Sequence, residues 1–255
     1  MRSLIRLFFA ALLTAGSMSL NAQGMIKVIA HRGHWKVPGS AQNSIASLVK
    51  ADSINCFGSE FDIWMTRDGE VVVNHDRKFK NVVIEEAPAS QVLAITLDNG
   101  EKLPTLSSLL DAAQNTDVRL ICELKTHADK KQEAKLVRKT VKMMADKGLS
   151  HRVDYITFSR EAMLELIKQA PEGTPVYYLN GEMTPEELKA VGAAGFDYNI
   201  NVLKKHPEWI RQAHDLGLKT NAWTVDEEAD MQWCIDNGID FLTTNRPERL
   251  FRLLW

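Results

Sequence analysis

Cysteine is scarce in this chain. Cys56, Cys122 and Cys234 show no C-x-x-C spacing, and an odd number of thiols cannot all pair internally. They read as small core hydrophobes rather than as a disulfide framework or a thiolate metal site. No His-x-x-x-His pair occurs either, which leaves zinc without its usual donors. No block of one charge sign interrupts a formal net charge of −2, so neither a nucleic-acid footprint nor a polybasic lipid anchor is evident. The expected partner is a small molecule. Repeats and low-complexity linkers are missing too. At 255 residues, with 45% hydrophobic and 25% charged content, the chain has average globular composition and nothing that divides it.

What is present begins with an export signal. Arg2 and Arg6 form a positive start, residues 7–13 are apolar, and Ala15, Gly16 and Ser17 open a small, polar stretch. The apolar run falls well short of the roughly 20 residues that cross a bilayer, so a cleaved signal over residues 1–22 is expected and not a membrane anchor. Cleavage leaves 29 basic against 33 acidic residues, a balance of −4. The expected product is a secreted or periplasmic single domain over residues 23–255.

Eight short β-rich runs follow, at residues 27–30, 57–62, 119–123, 153–157, 174–178, 197–200, 219–223 and 240–243. Helical patterns fill the intervals at 42–52, 105–114, 130–147, 160–169, 185–191, 207–216 and 227–237. Alternation of this kind predicts parallel βα units. Without a Gly-x-Gly-x-x-Gly after the first strand, it favours a closed (β/α)₈ TIM barrel over an open dinucleotide-binding sheet. One interval breaks the rhythm. Asp68-Gly69 separates the second strand from another β-rich run over 70–74, which predicts a hairpin that folds back antiparallel and carries His75-Asp76 toward the barrel mouth. Residues 77–102 are then expected as an irregular insertion over the active-site face.

Charged residues fall at the C-terminal ends of these strands, where barrel enzymes place their chemistry. Strand alternation puts Glu60 and Asp62 on one face and Phe61 and Ile63 on the other, and sets Glu123 and Lys125 opposite Leu124. Carboxylates buried between barrel layers need partners. A hard divalent cation, Mg²⁺ or Ca²⁺, meets that need for Glu60, Asp62 and Glu123. His31 directly follows the first strand and His75 follows the hairpin, each with a charged neighbour, Arg32 or Asp76. Two imidazoles near neutral pKa suit a hydrolysis that needs one base and one acid. His34 lies off the strand end, and His127, His151, His206 and His214 read as structural or exposed.

The ordered motifs resemble those of the glycerophosphodiester phosphodiesterases. They are His31-Arg32-Gly33, Glu60-Phe61-Asp62, Thr66-Arg67-Asp68-Gly69, Val72-Val73-Asn74-His75-Asp76, Pro104-Thr105-Leu106, Glu123-Leu124-Lys125, Phe158 and Trp223-Thr224-Val225. The resemblance spans residues 28–247. It implies a metal held by Glu60, Asp62 and Glu123, His31 and His75 as general acid and base, and Arg32 and Lys125 on phosphate oxygens. The implied substrate is a soluble glycerophosphodiester, with Trp223 walling the pocket around its glycerol moiety. Two positions depart from the family pattern, because Gln42-Asn43-Ser44 and Thr244-Asn245-Arg246-Pro247 each carry an amide where many relatives have an acid. A sphingomyelinase-D-like phospholipase and a non-catalytic secreted binding protein are the competing readings on the same fold.

Overall fold

The computed structural model describes residues 25–255; the expected signal over residues 1–22 lies outside the described residues. The strands are β1 (Lys27–Ala30), β2 (Gly58–Met65), β3 (Val71–Val73), β4 (Lys78–Phe79), β5 (Val82–Val83), β6 (Arg119–Leu124), β7 (Val153–Thr157), β8 (Val176–Tyr178), β9 (Gly195–Asn199), β10 (Lys219–Trp223) and β11 (Phe241–Thr244). The helices are α1 (Ile45–Ser53), α2 (Ala89–Val92), α3 (Leu106–Ala113), α4 (Lys130–Asp146), α5 (Arg160–Gln169), α6 (Pro185–Val191), α7 (Ile200–Lys205), α8 (Glu208–Asp215), α9 (Glu228–Asp236) and α10 (Pro247–Leu254).

Eight of the strands run parallel in the order β1, β2, β6, β7, β8, β9, β10, β11, and β1 pairs with both β11 and β2, so the sheet closes. Helices occupy the intervals between them. The fold is the expected (β/α)₈ TIM barrel. β3 turns back antiparallel onto the far end of β2, with Ile63 opposite Val73 and Met65 opposite Val71, as the Asp-Gly turn predicts.

Alternation along the strands separates two compartments. Outward residues such as Val28, Phe61, Ile63, Leu120, Cys122 and Leu124 pack with Leu48, Leu109, Leu136 and Leu166 of the helices in the main core. Inward residues Ile29, Ile121, Ile156, Tyr177 and Phe241 form a separate apolar plug inside the barrel. Above the plug the inward positions turn polar, which is where the site lies. All three cysteines are buried and free.

Local signals fix the helix ends. Thr184 and Glu187 form a reciprocal capping box with Pro185 in the first turn, and Gly192 closes α6 in the left-handed region at φ 83°. Expected and observed bounds differ at α1, which starts at Ile45 because Asn43 adopts φ 59° and the Ser44 side chain caps the helix at Ser47 N–H. The strand expected over 197–200 instead covers Gly195–Asn199, because the Asn199 side chain accepts from Asn201 N–H and starts α7. Neither α7 nor α10 is in the sequence reading, and each is eight residues or shorter.

The interval over 77–102, expected to be irregular, has structure of its own. β4 and β5 pair as a small hairpin, and Ile84, Val92, Ile95, Leu97 and Leu103 bury themselves against Trp64 and Val72 in a core distinct from the barrel's.

Candidate active site

The inward faces of β2 and β6 bring three acids together. Glu60, Asp62 and Glu123 are all buried, and each offers an oxygen within 4.8 Å of the others. Parallel register sets Asp62 beside Glu123. Lys125, one alternation beyond Glu123, places Nζ 2.7 Å from Glu123 Oε1 and 3.0 Å from Asp62 Oδ1.

The loop after β1 closes the other side. Arg32 at φ 56° and Gly33 at φ 75° both take left-handed backbone, which costs a non-glycine residue about 1 to 2 kcal/mol. The turn directs Arg32 N–H onto Glu60 Oε2 at 2.7 Å. Gly33 is required sterically as well, because a Cβ there would stand 2.3 Å from Ser47 Oγ of α1. Asn43, also left-handed, grips Asp62 twice: its Nδ2 donates to Oδ2 at 2.8 Å, and its Oδ1 accepts from Asp62 N–H at 3.1 Å.

These contacts divide the acids electrostatically. Burial works against ionised Asp62, but Lys125, His75, Asn43 and Arg32 outweigh it and hold the carboxyl well below its ordinary range. Burial, together with the negative charges of Asp62 and Glu123, pushes Glu60 well up. Burial and Asp62 raise Glu123 to about 7, against the pull of Lys125. Glu60 Oε1 is buried and has no hydrogen-bond partner. An orphaned carboxylate oxygen among three convergent hard donors fits a divalent cation.

Both predicted imidazoles reach this cluster. His31 Nε2 lies 3.9 Å from Glu60 Oε2, and its Nδ1 donates to Asn245 Oδ1 at 2.9 Å. The orientation of Asn245 is set from behind, since its Nδ2 donates to Asp226 Oδ2 at 2.8 Å and Trp35 Nε1 donates to its Oδ1 at 3.0 Å. His75 Nδ1 donates to Asp76 Oδ1 at 2.8 Å. A carboxylate only accepts, so this bond fixes the neutral tautomer and leaves His75 Nε2 as the free nitrogen. Burial chiefly, then Arg32, lowers the pKa of His31 to about 4. Burial also lowers that of His75, partly offset by Asp62.

The two departures from the family pattern fall on these same groups. Gln42 Oε1 accepts from Arg32 Nη1 at 2.6 Å, so it holds the guanidinium as an amide. Asn245 holds His31 in the same way. An acid survives one bond further out, at Asp226.

Two cavities share His75 as a wall. The inner one, about 140 Å³, is lined by His31, Arg32, Glu60, Glu123, Trp223 and Asp197 among others. The outer one, about 420 Å³, lies between the β1–α1 loop and the insertion, with Trp35, Gln42, Asn43, Asp76 and Phe79 in its walls. Trp223 is fixed by a bond from Nε1 to the Asp197 carbonyl at 2.9 Å and by an edge-on contact with Phe158 at 5.5 Å.

Of the expected residues, His31, Arg32, Glu60, His75, Glu123 and Trp223 line the inner cavity, and Asp62 and Lys125 are bound into the acid cluster beside it. His34, set aside in the sequence, is buried against Glu248 at 2.9 Å. His127 bridges Met65 N–H and the Lys125 carbonyl. Sequence reasoning missed Asp197 and Asp226, and took Asn43 and Asn245 only as parts of variant motifs. Asp197 carries a readable signal, because Gly195, Asp197 and Asn199 alternate with Phe196 and Tyr198.

Comparison with known proteins points to the family that the motifs resemble. The sequence model of the glycerophosphoryl diester phosphodiesterase family matches residues 31–249. A glycerophosphodiester phosphodiesterase of Caldanaerobacter subterraneus is 28% identical over 89% of this chain and 97% of its own length. The crystal structure of a glycerophosphodiester phosphodiesterase from Parabacteroides distasonis superposes with a TM-score of 0.88 at 43% identity, covering 90% of this chain and 96% of that one. An Oleispira antarctica phosphodiesterase, solved in complex with the product sn-glycerol-3-phosphate, shares the fold at a TM-score of 0.72 and 20% identity, covering 89% and 96% of the two chains.

Proposed function

The chain belongs to the glycerophosphoryl diester phosphodiesterase family and is a glycerophosphodiester phosphodiesterase, and from that premise we propose that it works as a metal-dependent hydrolase with His31 and His75 as its general acid-base pair. The observation that carries this reading is the convergence of both imidazoles on one cavity with a buried acid trio whose Glu60 Oε1 lacks any partner. Glu60, Asp62 and Glu123 would hold the cation, Mg²⁺ or Ca²⁺. Bound there, it supplies positive charge to a phosphoryl oxygen.

The chain's own residues do the rest. Arg32 and Lys125 offset the charge that builds on the phosphoryl oxygens as the P–O bond breaks. The attacking oxygen is a water or the neighbouring glycerol hydroxyl, and in either case it gives its proton to one imidazole. The other imidazole protonates the leaving alkoxide. Asp76 and Asn245 keep the two rings in register by occupying their Nδ1 atoms. The substrate is a small soluble diester, and the alcohol released by the reaction is the variable part. The reading includes export, with residues 1–22 removed as the positive start and short apolar run indicate, and no stable anchor thereafter. Among the described residues, no helix is long and apolar enough to cross a membrane.

The test is turnover of glycerophosphocholine after exhaustive chelation. Activity is expected to vanish and to return with Mg²⁺ or Ca²⁺, and His31→Ala and His75→Ala are each expected to lose at least about a hundredfold while remaining folded. Full activity in the chelated enzyme, or unchanged turnover in both variants, refutes the reading. Turnover confined to lipid vesicles would instead favour the phospholipase.

A further inference from the structure

Among the described residues, Asp197 is the one carboxylate lining the inner cavity that neither the acid trio nor the histidine pair uses. It projects inward from β9, is 1% exposed, and its Oδ1 has no hydrogen-bond partner. The Asn221 side chain partners the carboxyl from one side, but Oδ1 faces walls that offer it nothing: Ile156, Phe158, Leu179 and the Trp223 ring. A buried carboxyl oxygen without a partner is unfavourable, so the fold carries it at a loss unless a ligand completes it.

The surroundings indicate what kind of ligand that is. Asn221 stands beside Asp197 in the parallel register of β9 and β10, and its Nδ2 donates to Thr243 Oγ1 at 3.0 Å on β11. Thr243 also lines the cavity. Polar groups therefore mark one side of a small chamber, while aliphatic and aromatic surface marks the other. A short polyol has that same division, with hydroxyls on one edge and C–H groups on the other. Burial, and secondarily the charge on Glu123, pushes the Asp197 carboxyl well above its ordinary range. A carboxyl so placed accepts from a hydroxyl and, when protonated, also donates to one.

We propose that Asp197 is a specificity-determining residue that hydrogen-bonds the terminal hydroxyl of the substrate's glycerol arm. The inner cavity seats that arm, and the outer cavity, across His75, seats the variable alcohol. The terminal hydroxyl is the assigned partner because it lies farthest from phosphorus and reaches deepest. This assignment rests on the phosphodiesterase reading above.

The experiment compares two p-nitrophenyl phosphodiesters with a common leaving group. One carries a glycerol arm and the other a propane-1,2-diol arm that lacks only the terminal hydroxyl. In the wild type, kcat/KM is expected to favour the glycerol diester, and Asp197→Ala is expected to cut that preference by about tenfold or more. Asp197→Asn, which keeps a donor and an acceptor, should restore most of it, and its melting temperature should match or exceed that of the wild type because an orphaned buried acid has been removed. Parallel losses on both diesters in Asp197→Ala, or an unchanged preference, overturn the assignment while leaving the phosphodiesterase reading intact. A wild type that hydrolyses neither diester, nor glycerophosphocholine, fails that prior reading instead.

Discussion

Metal binding to this protein should be proton-linked in a pH range where ordinary carboxylates release nothing. Burial and Asp62 raise Glu123 from 4.5 to about 7, and Glu60 lies well above its own ordinary value, whereas Asp62 is held ionised by Lys125 and its other partners. A cation that takes Glu60, Asp62 and Glu123 as ligands must displace whatever protons the two glutamates hold. The direction follows directly. Protons compete with the ion, so affinity rises with pH and levels off only once both glutamates are ionised without help. Below pH 7 the Glu123 proton alone weakens the apparent Kd about tenfold per pH unit, or about 1.4 kcal/mol. Between pH 7 and pH 5 that amounts to about a hundredfold, and the Glu60 proton steepens the fall further. Isothermal titration of Mg²⁺ or Ca²⁺ into chelated enzyme, in buffers of contrasting ionisation enthalpy, reads both the affinity and the number of protons released. We expect at least about one proton per ion near pH 6, as Glu123 alone requires. Flat affinity from pH 5.5 to 8 with no proton release would mean that the trio is fully ionised before the ion arrives, and would refute the electrostatic argument.

Two further expectations concern the barrel itself. A Cβ at Gly195 would stand 1.8 Å from the Lys219 carbonyl oxygen, so Gly195→Ala must push β9 away from β10. It should destabilise the protein by more than about 3 kcal/mol, or abolish folding, as measured by denaturant unfolding. At the same end of the barrel, Asp240 accepts from Lys219 Nζ at 2.7 Å, His214 Nε2 at 2.9 Å and Thr220 N–H at 3.0 Å, which outweigh its burial and depress its pKa. Its contribution is present above the unfolded carboxylate value and is lost as pH falls through the lower folded one. Asp240→Asn should therefore cost about 1 to 2 kcal/mol at pH 7 and progressively less toward pH 3. An equal loss at both pH values contradicts this account.

The barrel was legible because its strands and helices carry different hydrophobic periods. Strand bounds such as Val153–Thr157 and Lys219–Trp223 coincide with the expected ones. Glu60, Asp62 and Glu123 were legible for the same reason, since a period of two assigns a face before any contact is known. Asp197 obeys that rule too, but it sits between Phe196 and Tyr198 with no neighbouring acid or histidine in the chain, so nothing local marked it as chemical. Asn43 and Asp226 were hidden for a different reason: their partners, Asp62 and Asn245, lie 19 residues away in each case. The roles of such residues exist only once the barrel closes. The insertion was misjudged as irregular because its core is assembled from single apolar residues spaced too unevenly to show a period.

That second core has an evolutionary consequence. The residues that hold the insertion together, Ile84, Val92, Ile95 and Leu97 against Trp64 and Val72, are separate from those that fill the barrel and from the plug beneath the acids. Lengthening, shortening or exchanging this excursion reshapes the chamber on the far side of His75 while the barrel strands that carry the acids keep their own core. If that chamber seats the variable alcohol as proposed, a lineage can change which alcohol it releases by drifting in one excursion of the chain, with no need to rebuild the chemistry that cuts the bond.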